Sequence, residues 1–372
     1  MKPLQGLKVI EMARILAGPW IGQSLADLGA EVIKLESPQG DDTRKWGPPF
    51  IERDGDKSAA YFYSANRGKT SEVVDFRTPE GQARVRALVA EADILIENFK
   101  VGGLAKYGLD YDSLIAVNPR LIYCSITGFG QDGPYATRAG YDFMIQGMSG
   151  LMSITGEPDG QPQKVGVAVT DVVTGLYGTI GVLAAVEQRH RTGKGQHIDM
   201  SLLDCATAML ANQAMNFLAT GDSPARKGNA HPNITPYQVI ATSDGHIILA
   251  VGNDGQFQRL CGVLKRGDLA EDARYSSNQL RVENRDALTE TLEQETAKWS
   301  SSDLLTALEA ATVPAGPINA IGETFADPQV IARGMQISPE GVPGVRGPWK
   351  FSDAELALDR TAPILGGGKP KL

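Results

Sequence analysis

Short apolar runs separated by helical stretches constrain the first 130 residues of this chain more than any other feature. LKVIEM (7–12), EVIKLE (31–36), EVVDF (72–76), DILIEN (93–98) and RLIYCSIT (120–127) each read as a short strand. Residues 18–28 and 79–92 carry helical periodicity between them. Strand and helix in alternation specify an α/β layer, a doubly wound and mostly parallel sheet. Ligands in such sheets bind beyond the carboxyl ends of the strands.

The opening βαβ unit is Rossmann-like, and Glu36 ends its second strand where a ribose-binding acid would stand. The first turn nevertheless reads ARILAGPW and lacks the GxGxxG glycines that let a pyrophosphate approach the backbone, which excludes NAD as the ligand. SPQGDDTRKWGPPF (37–50) is too rich in Gly, Pro and Asp for a core element and reads as a functional loop. Within it Arg44, beside Trp46, is a candidate partner for a substrate carboxylate, as is Arg14 in the first turn, because a planar guanidinium fork suits a carboxylate pair. A solvated surface arginine fits the same spacing.

The second half changes character. Residues 237–253 alternate as a hairpin around Ser243, Asp244 and Gly245, and helical stretches follow near 254–264 and 284–311. The expected organisation is a large domain over 1–219, a Gly- and Pro-rich linker over 220–236, a smaller α+β domain over 237–319 and a return segment over 320–372. The return segment ends in LGGGKPKL.

A net charge of −8 and a pI near 5.2 argue against non-specific nucleic-acid binding and confine any phosphate site to a local pocket. The three cysteines and four histidines are scattered without metal-ligand spacing, so no metal and a reducing compartment are expected. No basic and apolar leader opens the chain, and no apolar run reads as long enough to span a membrane, so a cytoplasmic location without membrane contact is expected.

The densest stretch is 140–178. After the turn-rich linker, residues 165–170 read as an extended approach and residues 172–191 as a helix, with Gly175, Gly178 and Gly181 on one face and Gly193 as a stop. Asp171 therefore falls at a helix N-terminus, where unpaired amides and the helix dipole favour an ionised carboxylate at neutral pH. Such a group can serve as a nucleophile, and Thr170 or Asp171 can equally be an ordinary N-cap.

GYD at 140–142, SGLMSITG at 149–156 and GVAVTD followed by TGLYG resemble, in this order, the class III CoA-transferases, and the resemblance runs from residue 6 to about 366. It implies that Asp171 is the catalytic nucleophile and that Val74, Asp75, Phe76, Arg77, Asn98, Phe99, Lys100, Lys106 and Tyr141 line the CoA thioester, which enters as substrate rather than as a resident cofactor. Val101 departs from the family phrase, which has proline there. The resemblance also implies an interlocked homodimer acting on an acyl-CoA and a small carboxylic acid.

GNAHPNITPYQ at 228–238 replaces the family's glycine-rich cover, and Leu16 stands where formyl- and oxalate-handling members place glutamine. DDTRKWGPPF, RAGYD, ITGFGQDGP and TPYQVIATSDG look closest to the succinyl-CoA:glutarate branch, with mesaconate, itaconate, citramalate and malate as rival acids. A racemase of 2-methylacyl-CoA is the alternative within the fold, but its second base would be a histidine where Tyr141 stands, and tyrosine is a poor base at neutral pH. A non-catalytic acyl-CoA-binding protein is the alternative outside catalysis.

Overall fold

Each of the five strands expected in the first 130 residues forms within three residues of its place, and a hairpin over 50–59 that the sequence reading did not contain is added to them. The computed structural model describes residues 1–367. Strands β1 (Lys8–Glu11) and β2 (Glu31–Glu36) flank helix α1 (Ala17–Asp27). A hairpin, β3 (Phe50–Arg53) and β4 (Asp56–Ala59), and helix α2 (Ala60–Ala65) follow, then β5 (Thr70–Val73), α3 (Pro79–Ala90), β6 (Ile94–Glu97), α4 (Tyr111–Ile115) and β7 (Ile122–Thr127). After α5 (Asp142–Met148), α6 (Leu151–Ile154) and the long α7 (Val169–Thr192) comes β8 (Gln196–Ser201), with α8 (Leu202–Ala208) and α9 (Ala211–Thr220) behind it.

Six of these strands form one sheet in the order β5-β2-β1-β6-β7-β8, every neighbouring pair parallel. Alternate residues serve opposite faces, as the two-residue period of a strand requires. Val9, Val32, Ile94 and Ile96 join Ile21 and Leu25 of α1 and Val182, Ala185 and Val186 of α7. Ile10, Ile33, Leu35 and Leu95 join Val85, Leu88 and Val89 of α3 and Leu114 of α4. The sheet is thus wound on both sides.

The chain divides into two units. One takes Met1–Leu151, Lys164–Asp222 and the chain from Pro328, and the other takes Met152–Gln163 and Ser223–Asp327. Residues 152–163 leave the expected 1–219 span because the Gly228 amide donates to the Gly156 carbonyl at 3.1 Å. Arg226 donates to the carbonyls of Glu157, Pro158 and Gly160 as well. Residues 368–372 of the return segment lie outside the described residues.

In the second unit β9 (Tyr237–Ala241), β10 (His246–Ala250) and β11 (Ala315–Pro317) make an antiparallel sheet. Helices α10 (Asp254–Val263), α11 (Gly267–Glu271), α12 (Asn278–Glu283), α13 (Arg285–Thr296) and α14 (Ser301–Ala310) accompany it. The expected helix over 284–311 is two helices, because the Ser300 hydroxyl caps a fresh start at the Asp303 amide. Back in the first unit, the short pair β12 (Gln336–Ile337) and β13 (Gly344–Val345) is fastened by Arg67, which donates to the Val345 carbonyl while paired with Asp27.

One expectation is corrected here. Helix α7, 24 residues long, is apolar and long enough to cross a bilayer by length and composition. Its small residues Thr174, Gly175, Gly178 and Thr179 are buried within the first unit, and Gly175 and Gly178 are what let Trp20 and Ile21 of α1 close against it.

Candidate active site

The strand order reverses direction between β1 and β6, and a crevice opens where the two crossovers part. The chain leaving β1 turns through Arg14 and Ile15, and the chain leaving β6 turns through Asn98 and Phe99. The Asn98 side chain joins them, accepting from the Arg14 amide at 2.9 Å and donating to the Arg14 carbonyl at 2.7 Å. Ile15 sits at φ 73°, a left-handed conformation that a β-branched residue adopts only under constraint. Its amide is held by the Asp41 carboxylate at 3.3 Å. Helix α1 then begins without a side-chain cap, and Leu16 and Ala17 line the cavity.

Asp171 opens into that cavity, a space of about 250 Å³ also lined by Arg14, Asn98, Phe99, Lys100, Arg138 and Tyr141. Tyr141 is 67 % exposed there. Helix α7 starts at Val169, before the expected 172, and its start is capped from another element. Asp142 of α5 accepts from the Thr170 amide at 2.9 Å and from the Thr170 hydroxyl at 2.7 Å, and takes the Gln146 amide on its other oxygen at 2.8 Å. Neither Thr170 nor Asp171 is the cap, so the Asp171 carboxylate is left over.

Among the described residues no cation or donor satisfies the Asp171 carboxylate. Burial first, and the Asp142 charge second, push its pKa up to about 7. The expected lowering by the helix start is corrected: its effect of about 0.3–1 kcal/mol is smaller than the opposing desolvation, so the carboxyl titrates above the ordinary carboxylate range. Tyr61 feels the same field; burial, then Asp171, Asp142 and Asp41, raise its hydroxyl to about 12. Its ring packs edge-on against Trp46, the centroids 5.3 Å apart.

The residues expected to hold CoA gather around Phe99. Val74, Asp75, Phe76, Arg77 and Phe99 line a second cavity of about 270 Å³, which shares Arg14 and Phe99 with the first. Phe76 meets Phe99 and Tyr107 edge-on, and Lys106 rests over the Tyr107 ring at 4.9 Å. Arg77 donates from Nε and Nη2 to the two carboxylate oxygens of Asp75, at 2.8 and 2.7 Å. Lys100 lies between the Asp171 cavity and a third space lined by Gly102 and Gly103.

Of the two arginine candidates, Arg14 reaches the cavity while pairing with Asp42 at 2.9 Å. Arg44 does not serve a substrate. It is buried, holds Glu36 through two hydrogen bonds of 2.8 and 2.7 Å, and lies 3.7 Å over the Phe62 ring. Glu36, which stood in the place of a ribose-binding acid, is thereby consumed. Asp142, Tyr61 and Arg138 had not been singled out by sequence. Among the described residues no group of three or more His, Cys, Asp or Glu side chains is placed to hold a metal ion.

Residues 4–369 match the model of CoA-transferase family III. The chain is 59 % identical to a succinate–glutarate CoA-transferase of Agrobacterium fabrum, over 98 % of this chain and 93 % of the relative. It is 41 % identical to the human succinyl-CoA:glutarate CoA-transferase, over 98 % of this chain and 84 % of that one. A crystal structure of a CAIB/BAIF family protein from Brucella suis superposes with a TM-score of 0.89 at 64 % identity, covering 98 % of this chain and 97 % of the other.

Proposed function

This chain belongs to CoA-transferase family III, and from that membership we propose that it moves CoA from succinyl-CoA to a dicarboxylic acid, glutarate first, with Asp171 as the nucleophile. The observation that carries the reading is a carboxylate without a cation, set at the switch point of a parallel sheet and beside the Asn98–Phe99 turn. A carboxylate neutralised by a neighbouring arginine would be a poorer nucleophile than one left unpaired.

The chemistry runs as two covalent exchanges. An Asp171 oxygen attacks the thioester carbonyl, the C–S bond breaks, and CoA leaves as a thiolate while a succinyl-aspartyl anhydride forms. The thiolate attacks the aspartyl carbonyl of that anhydride, succinate departs, and CoA is held as an aspartyl thioester. The glutarate carboxylate attacks this thioester, giving a glutaryl-aspartyl anhydride and thiolate again. Thiolate attack on the glutaryl carbonyl releases glutaryl-CoA and restores Asp171. Each tetrahedral centre needs donors for its oxyanion, and the uncapped first amides of α1 beside the cavity suit that task.

CoA is a substrate in this scheme, its nucleotide end directed to the Val74–Arg77 and Phe99 cavity, with Lys106 beside the aromatic cluster. Val167, Leu176, Tyr177 and Ile180 around α7, together with Met215, Phe217 and Leu218 on α9, are exposed apolar side chains of the kind a second copy covers in a homodimer. The three cysteines are free and buried, which suits the reducing cytoplasm.

The test is CoA exchange from succinyl-CoA to a panel of mono- and dicarboxylates, with hydroxylamine added to trap the anhydride or the thioester on Asp171. Glutaryl-CoA formation and an Asp171 hydroxamate support the reading. Exchange of the α-hydrogen of a branched acyl-CoA, without transfer to any acid, would replace it with racemase chemistry. Light scattering at working concentration tests the dimer.

A further inference from the structure

Resting on the reading that dicarboxylates pass through the Asp171 cavity, we infer that Arg138 determines acid specificity by anchoring the distal carboxylate of the acyl group whose other end is joined to Asp171. Arg138 lines the same cavity as Asp171 and Tyr141. Among the described residues no carboxylate pairs with it, whereas Arg14 is matched by Asp42 and Arg44 by Glu36.

Its guanidinium lies 4.4 Å from the centre of the Tyr135 ring and 5.3 Å from that of Phe129. The two rings meet edge-on at 5.5 Å. Such a cradle favours the planar fork at the cavity and shields part of it from water, which lowers the cost of binding a carboxylate.

The loop that carries Arg138 is fixed to the sheet. The Arg138 amide donates to the Tyr135 carbonyl at 2.9 Å. Gly140 lies on Gly128, just past β7, so closely that a Cβ on either would overlap the other's backbone. The arginine is therefore delivered from a defined backbone, while its side chain keeps an exposed, rotatable stem.

That combination matches what an exchange enzyme needs. Donor and acceptor each form an anhydride in turn with the same aspartate, so a single cation has to serve acids that differ in length by a methylene. A bidentate anchor on a flexible stem does this. A monocarboxylate offers it nothing. Lys100, which among the described residues also has no carboxylate partner, lies on the wall toward Gly102 and Gly103 next to the Asn98–Phe99 turn, the side assigned to CoA.

The experiment compares the full-length enzyme with Arg138→Met and Arg138→Lys. Glutarate and succinate are set against butyrate and valerate, each acid scored as acceptor and as competitive inhibitor. Succinyl-CoA and butyryl-CoA are compared as donors. Arg138→Met is expected to raise KM or Ki for the dicarboxylates by about 10- to 100-fold, the range for a charge-assisted hydrogen bond. Values for the monocarboxylates and for butyryl-CoA stay within about twofold, and Arg138→Lys recovers part of the loss.

If the Met variant keeps the wild-type preference for dicarboxylates, the inference fails while the transferase reading stands. A rise in KM for both CoA thioesters alike would make Arg138 a phosphate ligand and overturn it too. A wild type without any preference for dicarboxylates removes the reading of the preceding section and this inference with it.

Discussion

Two acidic side chains near the carboxyl ends of the central strands meet opposite fates. Glu11, at the end of β1, is fully buried and receives two ammonium groups, Lys34 at 3.0 Å and Lys69 at 2.8 Å. Lys34 continues to Asp41 at 3.0 Å, while Glu36 is held by Arg44 at 2.7 Å. Burial alone would push these carboxylates up, yet the cations around Asp41 and Glu36 hold both below the ordinary range. Lys34 is held above its ordinary value against burial by Glu11, Asp41 and Glu36, while for Lys69 burial prevails and brings it down to about 8. Asp171 has burial without the cations, and its neighbour is another acid. Pairing makes a carboxylate a structural element, and isolation leaves one that is ready to form a bond.

Substitutions at these two places sharpen that contrast. The largest effect expected is on chemistry: Asp171→Ala removes the proposed nucleophile and is expected to lower CoA transfer by about 10³-fold or more. Residual transfer within tenfold of wild type, read by chromatography of acyl-CoA products, would show that the unpaired carboxylate is not the attacking group.

The next effect is on stability. Glu11→Gln leaves Lys34 and Lys69 buried with one counterion fewer and is expected to destabilise the protein by about 3–5 kcal/mol. Chemical denaturation measures it, and a loss under about 1 kcal/mol would mean the network is not what holds β1 against β2 and β5.

Neutralising Asp171 has the opposite sign. Its folded-state pKa of about 7 lies above the ordinary value of 3.8, so the unfolded chain releases its proton first as pH rises. The folded state is penalised progressively from about pH 4 to 7, and the cost is constant above that. Asp171→Asn should match the wild type in stability near pH 4 and exceed it by up to about 4 kcal/mol at pH 8. An Asn variant that is less stable than the wild type at pH 8 would reveal a cation partner for the carboxylate.

Periodicity was enough to place β1, β2, β6 and β7, because parallel strands buried on both faces leave short apolar runs, whereas the β3–β4 hairpin, FIER and DKSA, leaves none. The proposed nucleophile, Asp171, was legible as a candidate residue but its ionisation state was not. The helix dipole is a local property that can be read from sequence; the Asp142 carboxylate capping α7 comes from a separate helix, and burial is a property of the whole fold. Arg44 misled for the same reason in reverse. Its spacing suited a substrate, and only the fold brings Glu36 and the Phe62 ring onto it. Arg138 lies inside the RAGYD phrase, yet its aromatic cradle depends on a loop conformation rather than on any residue pattern.

The smallest expected effect separates the two causes of the raised Asp171 pKa. Asp142→Asn removes the neighbouring negative charge while its amide oxygen still accepts from the Thr170 amide, so α7 keeps a competent cap. The bond from Gln146 is lost, since an amide nitrogen in place of the second oxygen cannot accept it. Transfer requires the ionised nucleophile, so kcat/KM for the thioester is expected to rise with pH through about 7 in the wild type. Without the Asp142 charge that acid limb moves to lower pH, by less than half of the rise, because burial is the larger cause. A limb that returns all the way to the ordinary carboxylate range would make repulsion between the two acids, and not burial, the main reason that Asp171 keeps its proton. A limb that does not move would mean that Thr170 and Gln146 already neutralise Asp142 in effect, and that the isolation of Asp171 is a matter of burial alone.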